Sequence, residues 1–197
     1  MTAPVKTSYR QQQADQTRGR IARAARKLFA EQGYGVTSIE KVAAEAGVAV
    51  RTVYAAFGSK RAILSRICED WLDEARAQPL AEEVLAEPDD SARLRGTAAW
   101  LTNLYTTGFD VVTIFEAATD ESPETRELLR AKLAGRDQVL DAMVSSLESV
   151  LPAGVERGRS VLRALAAPGV YRALVIEAGW TTEAFTDWAA HTLSARQ

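Results

Sequence analysis

The chain has 197 residues, 47% of them hydrophobic and 25% charged, a composition typical of a folded protein with a hydrophobic core. Its formal net charge is −2, and its single cysteine excludes an intramolecular disulfide. No apolar run approaches the ~20 residues of a membrane-spanning helix, and no secretory signal is recognisable at the N-terminus. We therefore expect a cytoplasmic protein without a membrane partner.

The N-terminal third of the sequence has the pattern of a polar arm followed by a helical domain. Residues 1–16 predict a flexible basic arm, whose Lys6 and Arg10 either reach DNA or remain solvated. Beyond the arm, apolar residues recur at helical spacing until Gly33, which is well placed to end the first helix. Residues 17–66 are predicted to form one domain of short helices.

Two of these short helices are joined by a glycine turn. The run Thr37-Ser38-Ile39-Glu40 fits a capping box, in which the Thr37 hydroxyl accepts an early backbone N–H of the first helix. Gly47 supplies the positive φ of a tight turn, and the second helix runs from about Ala49 to Phe57. Flanking helices brace the pair, which is the arrangement that places one helix in the major groove of DNA.

The second helix leaves four side chains off its core face: Val50, Arg51, Thr52 and Tyr54. A guanidinium suits guanine edges, and a phenol suits a phosphate oxygen. Gly58-Ser59-Lys60 adds an open helix N-terminus beside an ammonium, which predicts a phosphate site. The positive charge is concentrated here, because residues 1–66 carry a net +8 and residues 67–197 a net −10. A structural three-helix bundle without nucleic acid is the alternative.

Residues 67–197 show only helical patterns. Acidic residues and Pro88 mark residues 82–90 as a connector. Helices are predicted at about 91–107, 110–119, 123–150, 155–167, 168–178 and 182–195. The predicted fold class is all-α: an N-terminal three-helix helix-turn-helix domain and, at residues 67–197, a C-terminal helical domain.

The sequence contains no recognisable catalytic constellation. Cys68 and His191 are the only residues of their kinds and lie far apart in the chain. Cys68 also falls in an apolar helical stripe, which favours a buried, inert thiol. GxSxG, glycine-rich phosphate-loop and HExxH motifs are missing. We expect no enzyme activity, no cofactor and no metal.

The segment from about Arg18 to Ile67 closely resembles the DNA-binding domain of the tetracycline-repressor (TetR) family. The matching features are Gly33-Tyr34, Thr37, Val42-Ala43, Ala46-Gly47-Val48, Thr52-Val53-Tyr54, Phe57, Lys60 and Ile63. Ala49 departs from the serine that the family often has, and Ala56 from a larger residue. The resemblance implies a homodimer on a palindromic operator and a C-terminal domain that binds a small effector.

The resemblance also assigns site residues. It implies that Thr37, Tyr54 and Lys60 contact phosphate while Val50, Arg51 and Thr52 face bases, and Ser38 is predicted on the same surface. An apolar effector pocket is predicted from Trp100, Leu104, Tyr105, Phe109, Phe115, Glu116 and Met143. The dimer interface is predicted at Phe185, Trp188, Ala189 and Leu193. For both groups, membership of the protomer's own core is the alternative.

The predicted function is therefore DNA-binding regulation of transcription. The preferred form is a repressor that binds its operator as a homodimer and is released by a hydrophobic or aromatic effector. Two alternatives share the same DNA contacts: a helical DNA-binding protein without an effector, and an activator of the same architecture. A cavity in the C-terminal domain would favour an effector-binding regulator over the first alternative. Nothing in the sequence decides between repression and activation.

Overall fold

The computed structural model describes residues 9–195, and within this range every regular element is helical. Ten α-helices follow one another: α1 (Tyr9–Gln32), α2 (Ile39–Glu45), α3 (Val50–Phe57), α4 (Lys60–Glu74), α5 (Ala77–Ala86), α6 (Asp90–Ala118), α7 (Pro123–Ser145), α8 (Val155–Leu165), α9 (Pro168–Tyr171) and α10 (Thr182–Ser194). A 3-10 turn (Glu148–Val150) precedes α8, and α9 continues into a π-helical segment (Arg172–Glu177). The predicted all-α class is confirmed.

The chain divides into two compact units. The N-terminal unit comprises the described residues up to Asp70 together with Thr113–Arg126, and the C-terminal unit comprises Trp71–Val112 and the described residues from Glu127 onward. The border at Asp70 lies close to the predicted one at residue 66. The second segment of the N-terminal unit, which is the end of α6 and the start of α7, was not predicted.

Apolar faces of the first four helices form the core of the N-terminal unit. Its buried side chains include Ile21, Ala25, Leu28, Phe29, Val42, Val53, Ile63, Leu64 and Ile67. Cys68 is also buried there, as its place in the apolar stripe predicted. The edge of the Tyr34 ring meets the Phe29 ring at a centroid distance of 4.9 Å. Packing of α1 against α2 and α3 thus fixes the helices on which the candidate site is built.

Helix α1 begins earlier than predicted. The prediction of a flexible arm is wrong for residues 9–16, because α1 starts at Tyr9. The run from Tyr9 to Asp15 contains no glycine or proline and is rich in residues that favour helix. The Arg66 guanidinium donates to the Asp15 carboxylate at 3.0 Å, which ties α1 to α4. Arg10 therefore lies on a helix, and Lys6 lies outside the described residues.

The C-terminal unit contains all four tryptophans of the chain, three of them in its core or packed against it. The Trp71 indole N–H donates to the Leu104 carbonyl at 3.0 Å, and the Trp100 indole N–H donates to the Ala77 carbonyl at 2.8 Å. The rings of Trp180 and Trp188 meet edge to face, with centroids 6.0 Å apart. Each bonded indole has its polar atom satisfied while its ring is packed.

Helix α6 is kinked at Gly108, whose φ of −157° and ψ of 50° are not helical. The sequence predicted two helices interrupted at this place, and the structure joins them across the kink. A methyl group at Gly108 would overlap the Trp71 ring. The predicted connector at 82–90 was wrong for residues 82–86, because α5 runs to Ala86 with Pro79 in its first turn, where proline is tolerated.

Candidate DNA-binding surface

Helices α2 and α3 form the helix-turn-helix that the sequence predicted. Gly47 has a φ of +64°, a conformation that favours glycine, and the Val48 N–H donates to the Ala43 carbonyl at 3.0 Å across the turn. Val42 and Val53 are buried and pack the two helices onto the core. The two-helix unit is therefore fixed by a turn and by buried side chains, which leaves its polar face outside.

The start of α2 differs in detail from the capping-box prediction. Ser38, and not Thr37, is the N-cap: its hydroxyl accepts the Lys41 N–H at 3.3 Å. Hydrogen bonds from its own backbone N–H and from Ser38 lower the pKa of Glu40. The Thr37 hydroxyl instead donates to the Gly33 carbonyl at 2.8 Å, and its side chain is buried. The prediction of Thr37 as cap was wrong, and a side chain so enclosed has no access to phosphate, so we do not propose it as a DNA contact.

Helix α3 carries two exposed side chains suited to DNA. Arg51 is exposed and Tyr54 is 50% exposed, whereas Val50 and Thr52 are half-buried on the same helix. Within residues 9–195, no hydrogen bond or ion pair engages the Arg51 guanidinium or the Tyr54 hydroxyl. Ala49 precedes the helix without a side-chain cap, because its methyl group cannot accept a hydrogen bond. Both polar groups are therefore open to an external partner.

An arginine that the sequence did not connect with α3 braces the far end of that helix. The Arg18 guanidinium on α1 donates through Nε to the Ala56 carbonyl at 3.2 Å. That carbonyl belongs to the last turn of α3, where backbone acceptors lack helical partners. Gly58 follows with a φ of +73° and ends the helix. Helix propensity does not reveal such a bond, because its partners are 38 residues apart.

Lys60 makes contacts within the N-terminal unit that the sequence did not predict. Its ammonium donates to the carbonyls of Tyr34 at 2.6 Å, Gly35 at 3.2 Å and Thr37 at 3.3 Å, and lies 4.2 Å from the Tyr34 ring centroid. Burial lowers the pKa of Lys60, and the Glu121 carboxylate acts in the opposite direction. Three carbonyls engage all three N–H bonds of an ammonium. Lys60 therefore braces the turn at residues 34–37, and we do not propose it as a direct phosphate contact.

The same turn contacts the segment that links α6 to α7. A hydrogen bond joins the Tyr34 phenol to the Thr125 hydroxyl, and both side chains are buried. Burial raises the pKa of Tyr34, the hydrogen bond with Thr125 acts in the opposite direction, and the Glu121 carboxylate raises it further. A methyl group at Gly35 would overlap the Glu121 carboxylate. No sequence pattern predicts these contacts, because they join positions about 90 residues apart.

The residues predicted to line an effector pocket fall into two groups. Trp100, Leu104, Tyr105 and Met143 are buried in the C-terminal core, and Phe109 packs against that core. Phe115 and Glu116 belong to the N-terminal unit. The Tyr105 hydroxyl donates to the Ala166 carbonyl at 2.5 Å, and its ring lies 5.0 Å from that of Tyr171. The structure thus brings five of the seven residues into one unit, where they are part of an aromatic core.

The residues predicted at the dimer interface are mostly internal. Phe185, Ala189 and Leu193 are buried within the protomer, and Trp188 is half-buried. Burial favours the core alternative for the first three. Two large apolar side chains that precede α10 in the sequence are instead exposed: Ile176 at 57% and Trp180 at 37%. Ile176 lies in the π-helical segment, and Trp180 lies in the connection between that segment and α10.

Among the described residues, no helix has the length and apolarity to cross a membrane. In the same range, no three His, Cys, Asp or Glu side chains are grouped as metal ligands.

Comparison with known proteins identifies relatives of both the sequence and the fold. Residues 21–67 match the family described as "Bacterial regulatory proteins, tetR family". The HTH-type transcriptional repressor NicS of Pseudomonas putida is 30% identical over 156 residues, which cover 79% of this chain and 69% of NicS.

Two solved structures share the fold. FadR of Bacillus subtilis, crystallised with stearoyl-CoA, superposes with a TM-score of 0.73 at 18% identity and covers 91% of this chain and 99% of FadR. PfmR of Thermus thermophilus, a TetR-family regulator, superposes with a TM-score of 0.71 at 21% identity and covers 98% of this chain and 99% of PfmR.

Proposed function

Since this chain belongs to the TetR family of bacterial transcriptional regulators, we propose that it binds a palindromic operator as a homodimer through α3 and represses transcription until a small effector releases it. The observation that carries the proposal is the pair of exposed polar groups on α3, Arg51 and Tyr54, which have no partner within residues 9–195. The repressor form is supported by the name of the relative NicS. Such a protein acts in the cytoplasm, where its operator is.

The dimensions and chemistry of α3 suit the major groove. Its eight residues span about 12 Å at 1.5 Å per residue, and the groove is about 12 Å wide. Arg51 at its start would donate in pairs to the acceptors of guanine, and Tyr54 would donate to a phosphate oxygen. Val50 and Thr52 are half-buried. For their predicted base contacts they would offer only the exposed parts of an apolar side chain and of a hydroxyl side chain. Ser38 is half-buried at the start of α2, where its hydroxyl is engaged as the cap.

Binding is tested with a duplex that the protein itself selects from a random-sequence pool. We expect Arg51→Ala to raise the Kd about 5- to 150-fold, the equivalent of one bidentate base contact. Tyr54→Phe should weaken selected and scrambled duplexes alike, because it removes a phosphate contact. Arg130→Ala, at an exposed arginine of the C-terminal unit, is the matched control and should change the Kd less than about twofold. Unchanged affinity in both α3 variants would refute the assignment of α3 as the helix that contacts the operator.

The effector is proposed to be hydrophobic or aromatic. The C-terminal unit supplies an aromatic interior that includes Tyr105, Phe109 and Tyr171, and the fold relative FadR binds stearoyl-CoA. An effector releases the operator if it prefers a dimer whose two α3 helices no longer match half-sites about 34–36 Å apart.

A thermal-shift screen of acyl-CoAs and aromatic acids tests the effector, followed by titration of each hit into the complex with the selected duplex. A ligand that raises the melting temperature and releases the duplex supports a sensor. Hits that leave duplex affinity unchanged would favour the alternative of a DNA-binding protein without an effector. In vitro transcription from a promoter carrying the selected site decides between repressor and activator.

The homodimer is proposed to form through the exposed apolar side chains of Ile176 and Trp180, and the Trp180 ring meets the half-buried Trp188 ring edge to face. Exposed aromatic and aliphatic side chains that lie close together are typical of protein interfaces. Phe185, Ala189 and Leu193 would support this surface from beneath, since they are buried in the protomer.

A further inference from the structure

The N-terminal unit contains a segment that is distant in sequence from its first four helices. Residues 113–126 end α6, form the turn to α7 and begin α7, and they pack with the first 70 residues. Two side chains from this segment, Glu121 and Thr125, meet two consecutive residues, Tyr34 and Gly35. These lie in the turn at residues 34–37, which leads directly into α2.

The first contact is a buried hydrogen bond. Tyr34 is 4% exposed and Thr125 is 3% exposed, so neither hydroxyl can exchange this partner for bulk water. Thr125 is itself held in the first turn of α7, because its backbone N–H donates to the Ser122 hydroxyl at 3.1 Å. The bond therefore connects a fixed point on α7 to the turn.

The second contact depends on the missing side chain of Gly35. The Glu121 carboxylate occupies the space that a methyl group at residue 35 would fill. Lys60 holds the same turn by its carbonyls, and the Glu121 carboxylate attracts the Lys60 ammonium. The turn at residues 34–37 is thus contacted by Lys60 of α4 and by Glu121 of the turn before α7.

We propose that Glu121 and Thr125 are positioning residues for DNA binding: through Gly35 and Tyr34 they hold the turn at residues 34–37, and with it the start of α2. This inference rests on the proposed operator binding. Helix α2 packs on α3, so loosening the turn loosens the helix that faces the groove. Neither residue needs to touch DNA for its loss to reduce specific affinity.

A double-mutant cycle on the hydroxyl pair tests the first contact in the full-length protein. We expect Tyr34→Phe and Thr125→Val each to raise the Kd for the selected duplex about three- to tenfold, which corresponds to one hydrogen bond. The double variant should be no weaker than Thr125→Val alone, since Thr125→Val already lacks the bond to Tyr34 together with the contact between the Thr125 and Ser122 hydroxyls. Thr125→Ser keeps the hydroxyl and should restore affinity to within about twofold. The control is Thr119→Val, whose hydroxyl donates to the Phe115 carbonyl of its own helix.

A second cycle tests Glu121. Gly35→Ala should raise the Kd in the wild-type background, because its methyl group displaces the carboxylate, but should change it less than about twofold in the Glu121→Ala background. Binding to a scrambled duplex should stay constant throughout, because non-specific affinity depends on phosphate charge and not on the placement of α2. A variant that merely lowers folding stability would reduce binding to both duplexes together.

The outcomes separate this inference from the proposed function. If Arg51→Ala weakens binding to the selected duplex while both cycles are additive and Thr125→Ser behaves like Thr125→Val, the positioning role is overturned and operator binding stands. If no duplex is selected, or Arg51→Ala and Tyr54→Phe both leave affinity unchanged, both are overturned. Coupled cycles with rescue by Thr125→Ser support the positioning role.

Discussion

The adjacent hydroxyl residues Thr37 and Ser38, which precede α2, form different hydrogen bonds. Ser38 caps the helix by accepting the Lys41 N–H, and Thr37 donates inward to the Gly33 carbonyl at the end of α1. The first bond satisfies an N–H that the helix leaves without a partner, and the second satisfies a partly buried carbonyl. One residue therefore starts a helix while its neighbour holds the preceding turn.

This division predicts the stability of two variants. Ser38→Ala should lower the free energy of unfolding by about 1 kcal/mol through loss of the cap, and Thr37→Val by about 1–3 kcal/mol through loss of a buried donor. Denaturant unfolding followed by circular dichroism measures both. The control is Ser65→Ala, which loses an exposed hydrogen bond to Glu69 and should change the free energy of unfolding by less than about 0.5 kcal/mol. A Thr37→Val protein as stable as wild type would contradict the assignment.

At the level of the element, the kink of α6 depends on close packing of Trp71 against Gly108. No methyl group fits between the Gly108 backbone and the indole ring. The Trp71 N–H is also bonded to the Leu104 carbonyl, one turn before the kink, so the ring cannot move aside without losing that bond. Glycine is needed here for the approach of a neighbouring ring.

Gly108→Ala is therefore expected to destabilise the protein by about 1–3 kcal/mol, the usual cost of overpacking a filled core. Gly135→Ala on α7 is the matched control, because a methyl group there meets nothing within 4 Å. Glycine inside a helix is less stable than alanine by about 0.5–1 kcal/mol, so the control should be stabilised. Thermal melts of the two variants measure the opposite shifts, and equal shifts would exclude Trp71 as the cause.

Local sequence signals predicted the helix-turn-helix and every helix except α5, because hydrophobic spacing, caps and glycine turns act within a few residues. The place of the α6 kink was predicted for the same reason. What could not be predicted are the partners of side chains across the chain. Lys60 was expected on phosphate and instead binds three carbonyls, and Thr125 showed no sign of its bond to Tyr34. Such contacts depend on packing between distant segments, which a periodic pattern does not encode.

For the whole molecule, operator binding and dimerisation are proposed to be coupled. A protomer with one α3 contacts one half-site, so the affinity for a palindrome depends on two copies held at a fixed spacing. The surface at Ile176 and Trp180 is our candidate for this association. Oligomeric state and DNA affinity should therefore change together when that surface is altered.

Ile176→Glu is expected to convert a dimer to a monomer by placing a charge in an apolar interface, and to weaken binding to the selected palindrome at least about tenfold. Analytical ultracentrifugation and fluorescence anisotropy of a labelled duplex measure the two effects. Leu133→Glu, at another exposed aliphatic side chain in the C-terminal unit, should change neither the oligomeric state nor the affinity. A monomeric wild-type protein, or a variant that stays dimeric, would contradict the proposed interface.

The distribution of tryptophan makes the C-terminal unit optically distinct. Trp71, Trp100, Trp180 and Trp188 all belong to it, whereas the aromatic residues of the described N-terminal unit are tyrosine and phenylalanine. Excitation selective for indole therefore reports on the C-terminal unit, and the DNA-binding unit contributes no emission of its own from the described residues. A change in tryptophan emission on adding unlabelled operator would therefore report, without an attached probe, that DNA binding alters the surroundings of the C-terminal tryptophans.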